Sequence, residues 1–346
     1  MKKVLYILGV LILIALGGFL VGPKPEAPTI DTRLPQVPQT GQALDAWLQS
    51  RENQVAYLKP DNEARIVWAD STHNPTPVAL VYLHGFSASQ EEGAAMARAF
   101  AERYGMNLLL TRLYAHGLEE PEPLLRYNAD SVYNTALEAL AMGKVIGKKV
   151  LLMSTSTGGT LSLKLSAEFP EIMGNILYSP NIALADPSSP LLIQPWGLQI
   201  ARTVLGSDYR AWEGSSYEEK YWNTKYRVEA IVELQNLMSA VMTEETFSQV
   251  KQPTLLCMYY KDEEHQDGTV SVAAMREMFK QLGTPENQKE VKTFPDAEAH
   301  VIANPKTSKS YEEIKAATFE FAEQTLSLDP VPSSILPART NGVNGN

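Results

Sequence analysis

The sequence predicts an α/β domain with a mostly parallel sheet and helices on both faces. Short runs rich in β-branched and aliphatic residues recur at 77–83, 150–153, 175–178 and 254–260 and read as strands, and 290–294 is strand-like. Helical periods lie between them. Strands alternating with helices imply parallel neighbours joined by crossovers that cover both faces. With the two ends set aside, about 285 residues remain, enough for one such domain with a substantial core and an insertion.

Lys2 and Lys3 precede 18 uncharged, mostly apolar residues at 4–21. As a helix this run would be roughly 27 Å long, close to the hydrocarbon thickness of a bilayer. Residues 1–22 are expected to be an uncleaved signal anchor, a membrane-spanning helix whose basic start stays in the cytoplasm and whose domain is exported to the cell-envelope side. The alternative is a cleaved signal peptide and secretion. Residues 23–40 carry Pro23, Pro25, Pro28, Pro35 and Pro38 and are expected to form an extended, semi-rigid linker. The domain is expected over 41–326, opening on a rough helical period of Leu44, Trp47, Leu48 and Val55. Residues 327–346, rich in Pro, Ser, Asn and Gly, are expected to be a disordered tail.

The run 77–83 ends in His84-Gly85-Phe86-Ser87. Ser89 and Glu92 then have the spacing of a capping box ahead of Met96, Phe100 and Tyr104. Asp130 is placed to cap the helix of Val132, Ala136 and Leu140, and Ser310 with Glu313 repeats the box ahead of Ile314 and Phe321. Ser271 reads as the N-cap of a helix carrying Met275, Met278 and Phe279, which Gly283 ends. Cys257 stands alone inside a strand run and is expected to be a small buried residue.

The richest signal follows the run 150–153: Ser154-Thr155-Ser156-Thr157-Gly158-Gly159. A strand, a tight turn of small residues and then a helix is the setting of a nucleophile elbow, with Ser156 at its tip and Ser154 where the first glycine usually stands. A serine hydroxyl needs a general base, itself oriented by an acid. His300 lies just after the run 290–294. The acidic loop after the run 254–260 offers Asp262, two residues past Tyr260, and Asp267, which opens Asp267-Gly268-Thr269-Val270-Ser271. His73 and His265 read as loop residues.

In these features the chain resembles the α/β-hydrolase superfamily, over residues 60–325. Ser156, the acid and His300 follow strands in that family's chain order, and His84-Gly85 resembles the turn after its third strand. The resemblance implies an α/β-hydrolase fold with a helical cap insertion. It implies a serine hydrolase of carboxylic esters, esterase- or lipase-like, with Ser156, Asp267 and His300 as the catalytic triad and Asp262 as the alternative acid. The oxyanion hole would be the N–H groups of Phe86 and Thr157. Asp267 is favoured because its loop resembles the family's Asp-x-x-Val-Pro, with Ser271 in place of proline. His116, in Tyr114-Ala115-His116-Gly117, resembles a structural loop histidine. Thioesterase, amidase or peptidase chemistry shares the same triad, and a catalytically silent binding or envelope protein is the alternative from another class.

The cap is expected at about 181–250, where the β/α rhythm lapses and Trp196, Tyr209, Trp212, Tyr217, Tyr221, Trp222 and Tyr226 gather. Most of these rings are expected to build the cap's own core, and some to line an ester or lipid-like substrate pocket. A net charge of −10 argues against a nucleic-acid partner. Five histidines and one cysteine without ligand spacing call for no metal, and no fingerprint calls for a cofactor.

Overall fold

Seven strands form the central sheet in the computed structural model, which describes residues 3, 6–7 and 17–332 of the chain. In chain order the elements are α1 (Gly41–Glu52), β1 (Arg65–Val67), β2 (Thr76–Leu83), α2 (Glu91–Tyr104), β3 (Asn107–Leu110), α3 (Ala129–Ile146), β4 (Gly147–Thr155), α4 (Thr157–Glu168) and β5 (Gly174–Tyr178). An insertion follows with a 3-10 turn at Ser189–Ile193, α5 (Gly197–Leu205), β6 (Tyr209–Ala211), α6 (Ser216–Tyr221), β7 (Lys225–Arg227), α7 (Val228–Val241) and α8 (Glu244–Gln249). The chain closes with β8 (Thr254–Met258), α9 (Val272–Gln281), β9 (Lys289–Thr293) and α10 (Tyr311–Gln324).

The strands lie in the order β1-β3-β2-β4-β5-β8-β9, all neighbours parallel except β1 with β3. The continuous apolar runs now have their physical reason. Alternate side chains of a strand face opposite ways, and here both ways are buried. Ala79, Val81 and Leu83 of β2 join the core under α3 and α4. Val78, Leu80 and Tyr82 join the core under α2 and α10. Cys257 is fully buried in β8. Because the long strands are parallel, the loops leaving β2, β4, β8 and β9 all emerge at one sheet edge, and every candidate site residue lies in those loops.

The insertion is not purely helical, since β6 and β7 pair antiparallel within it. Its last long helix, α7, belongs to the body: Ala230, Leu234, Leu237, Met238 and Val241 are buried in the core shared with α3 and α4.

Three helix starts differ from expectation. The helix α2 begins after Gln90 with no side-chain cap, Ser89 is buried, and Glu92 turns away from the helix start. Asn128, not Asp130, caps α3, accepting from the Ser131 N–H at 2.9 Å. Asp130 instead accepts from the Thr29 N–H. Ser310 precedes α10 without a side-chain capping bond. At α9 the Ser271 cap forms, accepting from the Ala274 N–H.

Residues 23–40 contain no helix or strand, but they are not a free spacer. Val37 is buried, Ile30 and Leu34 pack on the core, and the Glu26 carbonyl accepts from Asn236. The Trp196 N–H donates to the Pro23 carbonyl and its indole N–H to Gly18. The expected anchor at 4–21 lies mostly outside the described residues. Among the described residues no helix is long and apolar enough to cross a membrane. The tail from residue 333 onward also lies outside them.

The helix α4 crosses the end of β2 closely. A Cβ at Gly158 would stand 2.0 Å from the Leu83 carbonyl oxygen and 2.9 Å from that of His84. Backbone cannot yield as a flexible side chain can. Gly158→Ala should therefore cost about 3 kcal/mol or more, or prevent folding. Urea unfolding measures this, and a midpoint equal to the parent's would show the crossing to be looser than described.

Candidate active site

Ser156 sits between β4 and α4 with φ 54° and ψ −118°. A non-glycine residue with positive φ is strained and persists only where its surroundings over-determine it. They do so here. The Ser156 N–H donates to the Tyr178 carbonyl at 3.0 Å, and its carbonyl accepts from Gly159 at 2.8 Å and Asn181 at 2.9 Å. Ser154, at the elbow's first-glycine position, is fully buried, and its hydroxyl has no partner among the described residues.

The loop after β8 places the two acids differently. Tyr260 and Gln266 pair as an antiparallel bridge, and the Lys261 N–H donates to the His265 carbonyl, closing a small surface excursion. Asp267 is thereby returned to the strand end, with its N–H directed at the Tyr259 carbonyl. Its Oδ2 lies 2.7 Å from His300 Nδ1, while Oδ1 accepts from the Thr269 and Val270 N–H groups at 2.8 and 3.2 Å. Asp262 is not at the site. It lies on the exposed excursion and bonds His265 Nδ1 at 2.8 Å and the loop's own N–H groups. His265 is the solvated loop residue the sequence suggests.

Burial pushes the Asp267 carboxyl up, but the His300 charge and hydrogen bond, with the two N–H donors, hold it below the usual carboxylate range. Burial pushes His300 down, and the Asp267 charge and hydrogen bond outweigh it, leaving the imidazole above its ordinary value. With Nδ1 donating to the carboxylate, Nε2 is the acceptor nitrogen. His300 and Ser156 line the same cavity.

His84 orders the neighbouring turn. Its Nε2 accepts from the Leu113 N–H at 3.0 Å, so Nδ1 carries the proton and donates to the Gly85 carbonyl at 2.9 Å. That carbonyl shares a peptide unit with the Phe86 N–H, so fixing one fixes the other. Thr157 opens α4, where a first-turn N–H has no intrahelical acceptor. His116 is fully buried edge-on to His84, with ring centroids 5.0 Å apart, and its Nδ1 bonds the Tyr114 carbonyl. Burial holds it down at about 4, so it is a neutral structural residue. His73 stacks on Trp68 in a loop.

Glu92 is the site residue that sequence reasoning missed. Its carboxylate accepts from the Gly85 N–H at 2.6 Å and the Tyr82 hydroxyl at 3.2 Å, and it faces the cavity with Ser156. The capping-box spacing pointed its side chain the wrong way.

The cavity measures about 850 Å³, and much of its wall comes from the insertion: Leu191, Leu192, Ile200, Val204, Trp212 and Trp222. Of the seven aromatic residues, Tyr221, Trp222 and Tyr226 are buried, as expected of a local core, and Trp212, Trp222 and Tyr226 line the cavity. Trp196 is 40% exposed and bonded to the N-terminal segment.

No protein-family model matches the chain, and no curated protein matches it by sequence. By its architecture the chain has the α/β-hydrolase fold, which it shares with solved lipases and esterases. One is a metagenome-derived lipolytic enzyme of the LipS and LipT pair, 20% identical, with a TM-score of 0.59 over 76% of this chain and 98% of that one. The monoacylglycerol lipase of Paleococcus ferrophilus is 14% identical, with a TM-score of 0.55 over 77% and 98%. Est1E of Butyrivibrio proteoclasticus, with ferulic acid bound, is 18% identical, with a TM-score of 0.53 over 79% and 100%.

A buried hydroxyl without a partner costs stability. Ser154→Ala, which keeps the Cβ and removes the hydroxyl, should therefore raise stability by about 1 kcal/mol. Thermal melting reads this directly. A drop of similar size would reveal a bonding role for the hydroxyl.

Proposed function

We propose that the protein is a serine hydrolase of carboxylic esters, with Ser156 as nucleophile, His300 as general base and Asp267 as the acid that orients it. The observation that carries this reading is the 2.7 Å Asp267–His300 contact beside a cavity onto which the strained Ser156 opens. His300 Nε2 takes the Ser156 proton as Oγ bonds to the carbonyl carbon, then returns it to the leaving alkoxide. A water activated by the same nitrogen releases the acyl group. The Phe86 and Thr157 N–H groups hold the oxyanion, and donors of this kind are commonly worth about 3 kcal/mol each in the transition state. The apolar wall of the cavity supports a substrate with a lipid-like acyl chain, with the insertion acting as a cap over it. Thioesters and amides would meet the same groups.

The sequence run at 4–21 supports a domain tethered at the membrane and exported. Full-length protein beginning at Met1 in a detergent-released fraction fits that placement, and a mature start within 17–28 would replace it with secretion.

Two measurements test the chemistry. Ser156→Ala should abolish hydrolysis of p-nitrophenyl esters and covalent labelling by a fluorophosphonate, with melting unchanged. Failure of the parent protein to label while folded would leave a silent binding protein. Asp267→Asn should lower kcat by a factor on the order of 10⁴, whereas Asp262→Asn should cost less than about tenfold. Because His300 must be neutral to accept the proton and its pKa lies above 6.5, kcat/KM should rise with pH through a limb above that value. A pH-independent rate through neutrality would remove His300 from the base role.

A further inference from the structure

The Glu92 side chain holds the His-Gly turn and lines the cavity shared by Ser156 and His300. It is 2% exposed and sits at the second position of α2, where a carboxylate could readily have faced water. Instead Oε2 accepts from the Gly85 N–H and the Tyr82 hydroxyl, and its backbone carbonyl accepts from Asn304 at 2.9 Å. A Cβ added to Gly85 would lie 2.7 Å from Glu92 Oε1 and 3.0 Å from Ser156 Cβ. The second carboxylate oxygen and the serine thus crowd the same point beside one glycine. Oε1 makes no hydrogen bond to the described residues, and Glu92 faces the cavity with His300.

We propose that Glu92 is a positioning residue for the ester hydrolysis read above: it holds the Gly85 peptide and, when ionised, stabilises the imidazolium that His300 becomes. The proposal rests on that reading. As the proton passes from Ser156 Oγ to His300 Nε2, the Oγ–carbon bond forms and the carbonyl π pair moves onto oxygen. Asp267 and Glu92 then face a single new cation. A charge fixed in place before the reaction costs no reorganisation when the cation appears.

Burial raises the Glu92 carboxyl to about 7, against the lowering effect of the Gly85 N–H, the His300 charge and Tyr82. The other titratable groups facing it are Tyr82 from β2, Tyr217 from the insertion, and His300 with Asp267 behind it. Burial pushes the Tyr82 phenol far up and that of Tyr217 to about 12, so both stay neutral. Asp267 is held below the usual range and stays ionised. Glu92 is therefore the carboxylate whose charge changes near neutrality, and that charge acts on His300. An ionised Glu92 raises the His300 pKa. Its removal must move the acid limb of kcat/KM to lower pH.

Glu92→Gln keeps the side-chain length and an acceptor for the Gly85 N–H while removing the charge. On p-nitrophenyl butyrate its alkaline plateau of kcat/KM should fall by roughly tenfold, with the acid limb displaced to lower pH. A purely structural role would lower the plateau and leave the limb in place. That result overturns the proposal, as does a profile identical to the parent's. Should Glu92→Gln fail to fold, Glu92→Asp retains the charge and should keep the parental limb with a lowered plateau; a displaced limb there overturns the proposal. Fluorophosphonate labelling of the parent at Ser156 separates the two levels. No labelling removes the hydrolase reading itself, whereas labelling with an unmoved limb removes Glu92's role alone.

Discussion

The close crossing of α4 over the end of β2 is the constraint on which the rest of the site depends. It requires a bare backbone at Gly158 beside the Leu83 and His84 carbonyls, and it sets the distance between the serine turn and the His-Gly turn. Parallel strands deliver both turns to the same edge. The contact between β2 and β4 runs in register from Thr76 with Gly147 to Leu83 with Ser154, so neither loop can slide relative to the other without breaking a ladder that is buried from Ala79 with Val150 onward. The positive φ of Ser156 is affordable in that setting because three backbone hydrogen bonds at the turn would be lost by relaxing it.

Around this crossing the polar groups form a connected set. His84 spends both ring nitrogens on backbone, Glu92 spends Oε2 on Gly85 and Tyr82, and the Tyr82 oxygen, its one proton directed at Glu92, also meets the Thr155 hydroxyl at 2.9 Å. Each member is buried, and buried polar groups of this kind specify a single arrangement only when nearly all are satisfied. The Ser154 and Thr157 hydroxyls stand outside the set, without a partner among the described residues.

Most of this was legible in the sequence. The runs that became β2, β4, β5 and β8 could be read because burial on both faces leaves them almost wholly apolar, and the edge strand β9 could be read from Val291, Thr293 and Phe294 alone. Ser156 and His300 could be read because each closely follows such a run. The three-residue β1 and four-residue β3 are too short to carry a period of their own. Asp267 and Asp262 stayed in competition because counting from Tyr260 takes no account of the bridge to Gln266, which folds the intervening residues out of the way. Glu92 was hidden by a coincidence of spacing. Three residues after a serine, ahead of an apolar stripe, a glutamate has the same pattern whether it turns back to a helix start or inward to a glycine N–H seven residues earlier. Only the third dimension shows that Gly85 is within reach.

The two ring nitrogens of His84 set a limit on how the molecule meets acid. One accepts and the other donates, so a proton added to Nε2 would confront the Leu113 N–H and break that bond. Burial, with His116 close by, holds the ring well below its ordinary value, so the unfolded chain takes up this proton at a higher pH than the folded one. The stability that His84 contributes is therefore complete above the free imidazole's titration range and drains away as the medium acidifies. Acidification would act first on the bond between His84 and the Leu113 N–H, and through it on the turn that carries the Phe86 N–H.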